Sequence, residues 1–194
     1  MDANPISKRG RGSEEEYFRQ LDAERLEGLR QAGDRRAEAE RIAAALGLPD
    51  ALRAEALRAL GIRAETVPAF MVLPLVEVAW ADGGVDEEER WRVLEAATRQ
   101  GVELGRPAHA LLERWLEARP DEALFRAWHE LATEGLLASG ASEVRQVAEA
   151  AASVASAAGG VLGFARVSRD ERRTLASIEQ SLTGLASAPP ESLV

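Results

Sequence analysis

The sequence predicts an all-α fold, a compact bundle of antiparallel helices, and three observations predict it. Apolar residues return at three- and four-residue spacing along the chain and not at two, which is the period of a half-buried helix and not of a strand. Ala, Leu, Glu and Arg, all strong helix formers, dominate long stretches. Glycines punctuate the ends of those stretches: Leu46-Gly47-Leu48, Leu60-Gly61-Ile62 and Gln100-Gly101-Val102 each place Gly where a left-handed cap lets the next apolar residue fold back on its helix.

Residues 1–12, with Pro5, two glycines and few apolar groups, read as a disordered tail. Ser13 before Glu14-Glu15-Glu16 reads as an N-cap followed by acids that favour the first turn, where backbone N–H groups lack partners. A helical extension is expected over 13–63. It runs to about Leu46, as one helix or as two broken near Gly33-Asp34, and then continues as a short helix from about Asp50 to Leu60.

Thr66 is placed to cap the next helix, with Pro68 tolerated in its first turn. The segment from Ala69 to Ala81, A-F-M-V-L-P-L-V-E-V-A-W-A, has Glu77 as its sole charged side chain. A helix apolar on nearly every face must be surrounded by others, so this one is expected at the centre, kinked by Pro74. Further helices are expected from Arg106-Pro107 to about Ala118, from Pro120-Asp121 to about Leu137, from Ala141 to about Ala158 and from Ser168 to near Gly184. The main domain then covers 64–185, before a flexible tail at 186–194 containing Pro189-Pro190. Trp80, Trp91, Trp115 and Trp128 read as core wedges.

A chain of 194 residues buries roughly 70% of the surface its unfolded form exposes, enough for a substantial core. The formal net charge of −9 argues against non-specific nucleic-acid binding, which needs clustered Lys and Arg. Lys8-Arg9-Gly10-Arg11 is basic but too short to anchor anything alone. With no cysteine, disulfides, thiolate zinc sites and cysteine nucleophiles are excluded. No stretch reaches the roughly 18–20 apolar residues of a membrane span, and the charge-free run Ala150–Ala165 is mostly small side chains. The start lacks the apolar core of a signal peptide, so a cytoplasmic protein is expected.

The most informative segment follows Ala81: D-G-G-V-D-E-E-E-R. Gly83 or Gly84 can close the preceding helix, and Asp86 with Glu89 forms a capping box for the next. Helices joined this tightly must pack on each other. Capping accounts for Asp86 and Glu89, and Glu87 and Glu88 suit a first turn. Asp82 is less well explained, because a helix C-terminus disfavours negative charge. Convergence of Asp82, Asp86 and Glu89 across the turn would suit calcium or magnesium. An EF-hand does not fit, since counting from Asp82 puts Glu87 at the sixth position and Val93 at the twelfth. Glu77 reads either as the partner of an Arg on a neighbouring helix or as an additional or second-layer acidic ligand.

The segment V-A-W-A-D-G-G-V-D-E-E-E, Val78 to Glu89, resembles the helix–turn signature of the tellurite-resistance TerB-like family, and the resemblance extends from about Ala64 to Leu185. It implies a compact bundle of antiparallel helices with an approximate internal repeat, and divalent-metal ligands at Asp82, Asp86 and Glu89. It also implies links to stress resistance and to membrane-proximal protein complexes. A second copy of the signature is broken. Ser168-x-x-Glu171 matches Asp86-x-x-Glu89, but Ala158-Gly159-Gly160 has Ala where the first copy has Asp82, and Val161–Arg166 is inserted between the parts. Asp170 and Glu171 could compensate.

The function expected is therefore a non-enzymatic helical module, binding calcium or magnesium at its acidic turn and serving protein partners. Peripheral membrane association would come through a complex. The first alternative is a metal-free scaffold whose acids are caps and solubilising groups. A carboxylate hydrolase using Glu77 and Asp82 is the second, with thin support: His109 and His129 match no compact zinc motif, solvated helical positions suit both, and no nucleophile elbow, P-loop or dinucleotide fingerprint is present.

Overall fold

The computed structural model describes residues 5–137, 146–147, 149–152 and 169–186, with side chains from residue 16 onward apart from 169, 171 and 182–186. Described residues are in helices, turns or short irregular connections, with no strand among them. The elements are α1 (Pro5–Leu46), α2 (Ala51–Ala59), a 3-10 turn (Ala64–Thr66), α3 (Val67–Met71), α4 (Leu73–Ala79), α5 (Glu87–Arg99), α6 (Pro107–Glu117), α7 (Glu122–Thr133) and α8 (Arg169–Ala186). None of the described helices is long and apolar enough to cross a membrane. Residues 146–147 and 149–152 are helical, within the helix expected from Ala141 to Ala158. The remainder of that helix, the Ala158-Gly159-Gly160 motif, Ser168 and the tail beyond Ala186 lie outside the described residues.

Two compact units make up the chain, Met1–Glu38 and Ala39–Val194. In the first, α1 begins at Pro5, upstream of Ser13, and it continues unbroken through Gly28 and Gly33. The unit boundary falls inside the extension expected over 13–63. Ile42, Leu46, Leu57 and Ile62, which the sequence assigned to that extension, are buried in the core of the second unit.

Within the second unit, local chemistry fixes the helix ends. Asp50 caps α2 by accepting from Leu52 N–H at 2.9 Å and Arg53 N–H at 3.3 Å. At the other end Gly61 adopts a φ of 91°, and Ile62 N–H reaches back to the Leu57 carbonyl at 3.0 Å, which buries Ile62. Asp121 caps α7 through Ala123 N–H at 2.7 Å. Thr66 behaves differently from expectation. Its hydroxyl accepts from Arg63 N–H and donates to the Arg63 carbonyl, closing the 3-10 turn, and gives α3 no side-chain cap.

The apolar segment departs from one kinked helix. It forms two, α3 and α4, divided at Val72. Pro74 has no N–H to return to Phe70, and its ring would clash with that carbonyl, so the ladder stops and Pro74 occupies the first turn of a new helix. The expected centrality holds. Phe70, Val72, Leu73, Leu75 and Val76 are sealed from solvent, and α4 packs against α5, α6, α7 and α8. Trp128 and Trp115 are buried, and Trp80 is half-buried with its Nε1–H donating to the Trp115 carbonyl at 2.8 Å. Trp91 is the exception among the expected wedges, 62% exposed on the outer face of α5.

Candidate functional site

The turn between α4 and α5 places each of its acids separately. Gly83 takes a φ of 99° and its N–H returns to the Trp80 carbonyl at 3.1 Å, reversing the chain in a conformation that side chains with a Cβ resist. Asp82 is exposed, and its Oδ1 accepts from Gly84 N–H at 3.4 Å. Asp86 and Glu89 make the expected capping box: Asp86 Oδ1 accepts from Glu89 N–H at 2.8 Å, and Glu89 Oε2 from Asp86 N–H at 2.9 Å. Glu89 is buried by this.

Asp82, Asp86 and Glu89 are thus strung along the turn. Among the described residues no group of three or more His, Asp or Glu side chains is gathered as a metal ion would need. Asp170 is exposed and bonded to Arg173 at 3.0 Å, while the Glu171 side chain lies outside the described residues. The division of labour has a measurable result. Asp86→Ala lowers stability by about 1 kcal/mol through loss of the cap, whereas Asp82→Ala changes it by less than about 0.5 kcal/mol; urea unfolding of the two variants side by side reads the difference.

Among the described residues Glu77 pairs neither with the turn nor with an Arg. It faces His129 on α7, with Oε2 2.9 Å and Oε1 3.1 Å from Nε2. The other ring nitrogen, Nδ1, lies 2.8 Å from Ser181 Oγ on α8. The three residues form one polar chain linking three helices, with the Glu77 and His129 side chains 17% and 20% exposed. His109, likewise expected on a solvated face, is buried, with Nδ1 3.4 Å from a Glu113 carboxylate oxygen.

Proton accounting limits what the chain can do. Ser181 has one hydroxyl proton and two acceptors for it, His129 Nδ1 and the Ser177 carbonyl at 3.0 Å. Given to Nδ1, it leaves a neutral ring donating from Nε2 to Glu77. Given to Ser177, it leaves Nδ1 to donate to Ser181, and Nε2 and Glu77 then share the remaining proton of their contact. The order acid–imidazole–hydroxyl is that of hydrolytic triads. Here, however, Ser181 is buried in the body of a helix rather than presented on an exposed turn.

Sequence reasoning singled out Glu77 but missed its partners. The available signal was chemical: a lone acid in an apolar helix, a His beside a buried Trp, and Ser177 and Ser181 one helical turn apart on the face that carries Ile178. A cleft of about 320 Å³ lies elsewhere, lined by Glu65, Pro68, Glu103, Arg106, Pro107 and Ala108, with Glu103 and Arg106 bridged at 3.2 Å.

The first unit carries the other unusual surface. Tyr17, Phe18 and Leu29 are 62%, 59% and 69% exposed, and Leu21 and Leu26 are exposed as well. The Tyr17 and Phe18 rings touch edge to face with centroids 5.8 Å apart. No family model, curated protein or solved structure matches the chain.

Proposed function

We propose that the chain is a non-catalytic helical module that docks a protein partner along the Tyr17–Leu29 face of α1. The exposure of five large apolar side chains within a single helix carries this reading. Apolar groups at that density are rare on a surface that only water covers, and an amphipathic helix from a protein partner covers such a face by matching its three- and four-residue spacing. Glu77, His129 and Ser181 then serve as a polar fastening of α8 on α4 and α7, and no catalytic role is assigned to them. The TerB-like resemblance of Val78–Glu89 supports a role for such a module in a stress-resistance or membrane-proximal complex.

The test uses the full chain in cells, with a photo-reactive residue in place of Leu29. The expected result is a discrete protein adduct that disappears when Leu21→Glu is added, while helix content stays unchanged. Absence of any adduct, or an adduct indifferent to Leu21→Glu, overturns the reading.

A second reading keeps a divalent cation at the acidic turn. Its support is the exposed Asp82 carboxylate, held within the same turn as Asp86 and Glu89. It requires Glu89 to exchange its bond to Asp86 N–H for the ion. Calcium then changes Trp80 emission saturably, and Asp82→Ala abolishes the response; a flat titration of the unmodified chain removes this reading.

A further inference from the structure

Resting on the docking reading above, we infer that the partner is a second copy of this chain, paired antiparallel through α1 with Arg25 at the two-fold axis. Phe18, Leu21, Arg25, Leu29 and Ala32 recur at three- and four-residue spacing and share one helix face. A reversed copy with Arg25 opposite Arg25 sets Leu21 against Leu29 and Phe18 against Ala32. Each large side chain then meets an apolar one, and the bulkiest meets the smallest.

Charge selects the direction. The half of the stripe before Arg25 carries Glu14, Glu15, Glu16, Asp22 and Glu24 against Arg19 alone. The half from Arg25 to Arg36 carries Arg25, Arg30, Arg35 and Arg36 against Glu27 and Asp34. Antiparallel pairing lays the acidic half of each copy along the basic half of the other, with positions 14 and 15 opposite 36 and 35. A parallel pair would set acid against acid and base against base. Arg25 meets its own twin at the axis, and Asp22, one turn away on both helices, supplies the counter-charge.

Gly28 fits the same account. Glycine inside a helix costs about 1 kcal/mol relative to Ala, and a Cβ built on Gly28 would meet nothing within 4 Å, so packing within the chain does not demand it. A second helix approaching closely would. Because the contact is the same patch on both copies, it closes at two chains and does not propagate.

Sedimentation equilibrium of the full chain tests this. A dimer is expected, and Leu21→Glu with Leu29→Glu weakens it by about 100-fold or more while helix content is kept. Arg35→Glu with Arg36→Glu weakens it by about 10-fold, and adding Glu14→Arg and Glu15→Arg to the same chain restores it. Because the chain has no cysteine, single substitutions report the axis. Arg25→Cys oxidises to a linked dimer, Ala32→Cys alone does not, and a mixture of Ala32→Cys and Phe18→Cys chains links crosswise. Efficient linking of Ala32→Cys to its twin would mean parallel pairing and overturns the proposal, as does a chain that stays monomeric at about 100 μM. A monomer whose Leu29 photo-adduct is a different protein overturns self-pairing and leaves the docking reading standing, whereas a monomer with no adduct removes both.

Discussion

Phe70→Ala lowers the free energy of unfolding by about 3–5 kcal/mol, the range of a buried aromatic truncated in a core that cannot close over the gap. The ring is wholly buried on α3, a helix of five residues. So short a helix does not persist on its own hydrogen bonds and is held by what it buries. The space left by the ring cannot collapse freely, because α3 is fixed on one side by the 3-10 turn and on the other by the break before Pro74. A retained cavity is what moves such losses to the upper end of their range. Phe70→Leu, which refills most of the volume, should cost less than about 1.5 kcal/mol. Urea unfolding followed by tryptophan emission measures both, and a Phe70→Ala loss below that of Phe70→Leu would show that α3 is not held by the Phe70 ring.

Glu77→Ala is the second large effect, about 2–3 kcal/mol. The cost comes less from the missing carboxylate–imidazole hydrogen bond than from what remains: His129 keeps a half-buried Nε2 with no acceptor. The same logic makes the pair non-additive. Glu77→Leu combined with His129→Leu leaves only the Ser181 hydroxyl, which still has the Ser177 carbonyl at 3.0 Å, so the double variant should be closer to the unmodified chain than the sum of the singles, by about 1–2 kcal/mol. Glu77→Gln, which keeps an acceptor, should lose less than Glu77→Ala. A double-mutant cycle with no coupling would dissolve the fastening role of the trio.

What the sequence made legible is local. The Asp86–Glu89 box, the Asp50 and Asp121 caps and the Gly61 reversal each depend on residues within five positions, so spacing alone specifies them. Pro74 was legible as a disruption but not in its outcome, because whether a proline bends a helix or ends it depends on what packs around the freed carbonyl. Thr66 shows the same limit on a smaller scale: its hydroxyl had backbone groups on both sides within reach, and it took those of Arg63. Glu77 and His129 lie as far apart in sequence as His129 and Ser181 do, and no periodicity links residues at such a distance. The α1 stripe went unmarked in the sequence, because identical spacing describes a stripe covered by its own chain and one left for another.

The polar trio also orders events in time. Glu77 and His129 are both synthesised well before Ser181, and in the interval Ile178 is not yet present to fill the position it occupies, fully buried, in the finished chain. A bundle of α4–α7 that packs before α8 is made would hold an acid and an imidazole at the edge of an open apolar seam until α8 arrives. Their hydration keeps that seam wet, and so less prone to capture a wrong segment. The same two groups that tie the last helix down hold its place open beforehand, so a chain with both replaced by leucine should aggregate more readily on refolding than a chain destabilised equally elsewhere in the core.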